Sequence, residues 1–143
     1  MKRNLIYTLT VFLSVQTVIA GELISDEENQ LPSLIPLRTR SISRGPGIKV
    51  ISPDLDATTK SPVNIKVQFE ARGGSKIDSS SVKVIYLKSP NIDITQRLNT
   101  GITESGIDFS KAEIPPGNQS LQVIVKDSDG RENTTVLNFT IIK

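Results

Sequence analysis

The chain reads as an all-β protein: two sheets packed as a sandwich of about seven short antiparallel strands. Three observations carry this. Between Asn118 and Ile142, Leu121, Val123 and Val125 form one alternating run and Leu137, Phe139 and Ile141 another, separated by Asp127-Ser128-Asp129-Gly130-Arg131. Two period-2 runs around an Asp-Gly turn are a strong local hairpin signal, because Gly supplies the positive φ that the turn needs. Upstream, short apolar runs recur roughly every 8 to 14 residues between Gly, Pro, Asn and Asp clusters, which is sandwich spacing. Finally, the 143 residues include four Phe, two Tyr and no Trp, so core volume must come from Val, Ile and Leu, a β-favouring set.

Taken in order, Ile48 and Val50 open a first strand that ends at Ser52-Pro53. Residues 53–62 read as a polar loop closed by Pro62, which suits a strand start because it has no N–H to give a ladder. Val63, Ile65, Val67 and Phe69 then alternate with Asn64, Lys66, Gln68 and Glu70, giving the cleanest amphipathic strand, and Gly73-Gly74 breaks it. Val82, Val84 and Tyr86, with Ile85 and Leu87 on the other face, predict a third strand buried on both sides. Ser89-Pro90-Asn91 turns the chain into a short edge candidate, Ile92 to Thr95. Residues 99–111 are the least regular; Ile102, Ile107 and Phe109 are expected to face inward on one or two ragged strands reaching Ala112 and Ile114. Pro115-Pro116-Gly117-Asn118 turns into the closing hairpin. Phe69, Val84, Val123 and Phe139 are the expected inner-face residues. No run beyond residue 45 keeps helical spacing over three turns.

The start of the chain differs in character. Lys2 and Arg3 precede an apolar stretch, Leu5 to Val15, and Val18-Ile19-Ala20 offers a cleavage site before Gly21; residues 1–20 are expected to be a signal peptide. Its polar Thr, Ser and Gln argue against a lasting membrane span, so no stable membrane insertion is expected after cleavage. Residues 21–46 run from acidic (Glu22, Asp26, Glu27, Glu28) to basic (Arg38, Arg40, Arg44), with Pro32, Pro36 and Pro46 interrupting, and read as a flexible leader before a sandwich at 47–143.

Charge and composition exclude several function classes. Lys plus Arg number 17 and Asp plus Glu 15, and removing Lys2 and Arg3 leaves 15 against 15, so nucleic acid is not an expected partner. Cys and His are both absent, which rules out disulfides, thiol nucleophiles, histidine bases and the usual zinc ligands.

With the strands placed, residues 45–143 resemble the bacterial immunoglobulin-like domains, of the fibronectin-III-like kind, found in secreted and surface proteins. Ile48 to Pro53 is similar to their opening strand, Pro62 to Phe69 and Ile77 to Val84 to their second and third, and Leu121 to Arg131 to their closing pattern. The chain departs from antibody domains in lacking paired Cys and a core Trp. The resemblance implies a non-catalytic, periplasmic or secreted module that binds another envelope or extracellular protein or serves structurally; carbohydrate-binding and calcium-dependent adhesion modules are the alternatives.

Two candidate sites follow. Asp127 and Asp129 sit in a Gly-containing turn that could wrap a hard cation, and strand order brings the loop carrying Asp78 to the same end, so calcium is the one cofactor the residues suggest. Asp54 and Asp56 belong to the opposite end. A partner-binding edge is expected at Ile92, Ile94 and Arg97, where a short strand leaves backbone groups open to strand addition. Catalysis has little to build on: no histidine partners the serines, and Tyr86 is more suited to the core than to a sugar platform. Asn118, Asn133 and Asn138 match the N-glycosylation sequon, and chance accounts for them.

Overall fold

The structure, a computed structural model, describes residues 21–35 and 42–143; the expected signal peptide, and residues 36–41 of the expected leader, lie outside that range. Among the described residues, nine strands form two sheets. They are β1 (Gly47–Ser52), β2 (Thr58–Lys60), β3 (Val63–Glu70), β4 (Ile77–Tyr86), β5 (Ile92–Asp93), β6 (Ile102–Thr103), β7 (Gly106–Ala112), β8 (Gly117–Asp127) and β9 (Glu132–Ile142). A four-stranded sheet in the order β1-β3-β7-β6 faces a five-stranded one in the order β2-β9-β8-β4-β5. The β8–β9 turn marks what we call the upper end; the exits of β4 and β7 lie at the lower end.

Period-2 patterning makes the layers. β3 alternates buried and exposed at every position, and β8 and β9 pair in continuous register from Gly117↔Ile141 to Lys126↔Glu132. Phe69, Val84, Val123 and Phe139 are all buried, and one apolar cluster joins residues of both sheets. Ile107 belongs to it, while Ile102 and Phe109 pack against it from the rim. At Gly106, φ is +146° and a Cβ would lie 1.9 Å from the Val67 carbonyl oxygen. Only glycine lets β7 approach β3 there.

Two expectations are corrected. The strands number nine rather than seven, and the five-stranded sheet is mixed, because β2 runs parallel to the end of β9. Thr58-Thr59-Lys60 is too short and polar for a periodic signal, so the sequence reads as loop where an edge strand lies. A 3₁₀ helix, Thr95–Gly101, was also unforeseen; it buries Leu98 and carries the chain from the five-stranded sheet to the four-stranded one.

The larger departure concerns the expected leader. Residues 21–35 form a strap across the lower end. Leu23 and Ile24 are each 1% exposed and belong to the core cluster. Ser25 caps a one-turn helix, α1 (Asp26–Asn29), in a reciprocal box with Glu28. Leu23 donates its N–H to Glu113 O at 3.0 Å, and Ser33 bridges antiparallel to Lys88 just past β4. Two consecutive apolar residues carry no period, which hid the docking from sequence. Among the described residues, no helix is long and apolar enough to cross a membrane.

Candidate functional site

At the upper end the strand order does bring the 71–77 loop to the β8–β9 turn: Ser128 donates its N–H to Lys76 O at 2.8 Å. The three carboxylates expected to share a cation nevertheless do not assemble. Ile77 pairs with Asp127 and Asp78 with Lys126, so the pleat turns Asp78 to the other face of the sheet. Its Oδ1 accepts from the backbone N–H and hydroxyl of Ser80. Asp127 is itself buried, and its oxygens are occupied. Oδ1 accepts from the N–H of Asp129 and of Arg131, at 3.0 and 2.9 Å; Oδ2 accepts from Arg131 Nε at 2.9 Å and the Ser75 hydroxyl at 3.2 Å. Burial pushes the Asp127 pKa up, but the Arg131 backbone bond and charge, with the Asp129 N–H, outweigh it and hold the carboxyl below its ordinary range. Asp129 reaches Arg131 at 3.0 Å from the solvent side. The turn is a self-contained ion-pair knot, and among the described residues no group of three or more acidic side chains could hold a metal ion.

The expected binding edge is partly consumed from within. β5 does stand at the edge of its sheet. Ile94, however, is fully buried, Ile92 packs against the core, and Ile94 donates its N–H to Val84 O. Arg97 grips the strap: it donates to both Glu28 carboxylate oxygens at 2.8 and 2.6 Å and to Leu23 O at 2.8 Å.

What stays open lies higher up, on the neighbouring strand β4. Along the outer side of β4, Ile85 and Tyr86 pair with β5, Val84 is taken by Ile94 and Thr95, and the strap borders Leu87 to Ser89. Among the described residues, no strand pairs with that side from Ile77 to Lys83. A groove of about 860 Å³ opens at the Ile77 end of this stretch, between the β6–β7 turn and the loop entering β4, and touches β4 at Ile77 alone. Phe69, Ile77 and Ile107 line it, with Lys76 on one wall and Glu104 on the other. Neither of these two charges is in an ion pair among the described residues.

Comparison with protein families, curated proteins and solved structures finds no match to this chain.

At the lower end the sequence missed a second constellation. Tyr86 is fully buried and its hydroxyl donates to Gln119 Oε1 at 2.6 Å, with Asn29 Oδ1 3.3 Å away. Gln119 Nε2 donates to Asn29 Oδ1 and to Pro115 O, at 3.0 and 2.9 Å. Lys88, 4% exposed, donates to Asn29 O and the Ser33 hydroxyl, both at 3.0 Å, and its ammonium lies 5.2 Å from the centre of the Tyr86 ring. Burial raises the Tyr86 pKa to about 12, helped by the Glu28 charge. Burial pushes Lys88 down. The sequence offered little signal: Lys88 stands between Leu87 and Ser89, and Gln119 between Asn118 and Ser120, where a polar side chain reads as exposed.

Proposed function

We propose that this chain is an exported, non-catalytic immunoglobulin-like module of the bacterial envelope that binds another envelope or extracellular protein along the upper outer side of β4. The observation that carries the proposal is the stretch from Ile77 to Lys83, a strand edge without a partner strand among the described residues, with an apolar-floored groove at its Ile77 end. Unpaired backbone groups there would give affinity to an added strand, and the groove would select its side chains. The immunoglobulin-like reading is supported by strand order: with β1, β3, β4, β6, β7, β8 and β9 taken as strands A to G, one sheet runs A-B-E-D and the other holds G-F-C, the division such sandwiches have. Export is supported by residues 1–20.

Photo-cross-linking tests this. A photoreactive residue replacing Lys76 should label a partner in the intact envelope, whereas one replacing Lys49 on β1, the far edge of the other sheet, should not. Equal labelling from both positions, or none from Lys76, would overturn the proposal.

A further inference from the structure

The strap is bound the way a ligand is bound. Its long-range ties run to residues far along the chain: Leu23 and Glu28 to Arg97, Asn29 to Pro116 and Gln119, Asn29 and Ser33 to Lys88. The dependence also runs the other way. Among the described residues, Arg97 and Lys88 find all their side-chain hydrogen-bond partners on the strap. Without it a buried ammonium and a guanidinium would face an uncovered apolar end. The strap itself fills only two core positions, Leu23 and Ile24, while most of its other side chains stay exposed or half-buried. Little buried apolar surface against many ordered residues marks a unit that can open while the rest stays folded.

We infer that the lower end of the sandwich is a segment-binding site, filled in cis by residues 21–35 and able to take the same residues from a second copy of this chain. The recognition chemistry is specific. Two adjacent apolar residues enter the core cluster, and an acid four residues beyond Ile24 meets Arg97. The amide and backbone of the next residue meet Gln119 and Lys88, and a hydroxyl at Ser33 completes the lysine's shell. Each of these contacts is non-covalent and equally available in trans, the general basis of segment exchange between identical chains. The inference concerns the end of β4 opposite the proposed partner edge and stands or falls independently of it.

A dye-labelled peptide spanning Gly21 to Ile35 provides the test. In the purified protein, Leu23→Ala with Ile24→Ala loosens the cis strap and leaves Arg97, Lys88 and Gln119 in place. Freeing the site should tighten peptide binding by about tenfold or more in fluorescence anisotropy, because apparent affinity scales with the fraction of open sites. Adding Arg97→Ala to that variant should abolish the gain. A folded double variant, judged by its far-ultraviolet dichroism, that binds no more tightly than the parent overturns the inference. Should the double variant fail to fold, hydrogen exchange on the parent protein decides. Faster exchange in residues 22–34 than in β8 supports a separately opening strap, and matched protection throughout overturns it.

Discussion

Tyr86 is where the chemistry of single residues is most exposed to measurement. From Gly21 onward it is the one tyrosine, and the chain has no Trp, so its fluorescence reports one site. Burial holds its pKa near 12; an alkaline titration should show phenolate forming well above the ordinary value of 10. Because the ionised form is disfavoured in the fold, stability should decline as pH rises from 10 toward 12. Tyr86→Phe leaves the buried Gln119 Oε1 without a donor and should cost about 1–3 kcal/mol in denaturant unfolding. Glu28 works at the other end of the scale. Its hydrogen bonds and ion pair with Arg97 lower its pKa from 4.5 to about 2. A depressed carboxylate contributes in full above its unfolded pKa, so strap protection in hydrogen exchange should fall between pH 4.5 and 2. Glu28→Gln should remove that pH dependence.

Among the elements, the strap, the β8–β9 turn and β7 are those whose loss should be felt. Leu23→Ala leaves a cavity in the core cluster and should destabilise by about 2–5 kcal/mol, an outcome a flexible leader would not produce. Asp127→Asn keeps the shape of the turn but surrenders the charge that Arg131 and two backbone N–H groups are aimed at. A lower Tm with an unchanged strand spectrum is expected. Gly106→Ala should disrupt β7 itself, since the Val67 carbonyl already occupies the place of the new methyl. These elements differ in how legible they were. The hairpin was read from local period alone because its turn and both strands adjoin in sequence. β2 and the 3₁₀ helix were not, being too short for a period, and β2 is held by a partner as distant as Thr140; β6 falls in the ragged stretch where one or two strands were expected.

For the whole molecule, the two ends have separate roles. The upper end holds the Asp127 knot and the open β4 edge with its groove; the lower end is closed by the strap. Added calcium should leave the Tm where it is, because Asp78 faces away from Asp127 and the Asp127 oxygens are already hydrogen-bonded. A rise reversed by chelator would mean that ligands gather from elsewhere. Of the candidate edge, the expected strand does stand at the border of its sheet, but a longer unpaired stretch lies on its neighbour. Ile92 and Ile94 signalled a short edge, whereas the unpaired stretch is Ile77 to Lys83, on a strand that read as interior because Val82, Val84 and Tyr86 are apolar.

By itself, the sequence determined the alternation that makes this an all-β chain, the inner faces of β3, β8 and β9, and the want of thiol and imidazole chemistry. Those properties depend on residue type and on spacing within a few neighbours, where period and composition act directly. Only the tertiary structure decided that residues 21–35 belong to the core, that Asp78 and Asp127 stand on opposite faces, and that Arg97 binds the strap. Each of these is a contact between segments tens of residues apart, set by strand register and by which buried polar groups lack partners. Neither quantity is written in any local stretch of the chain.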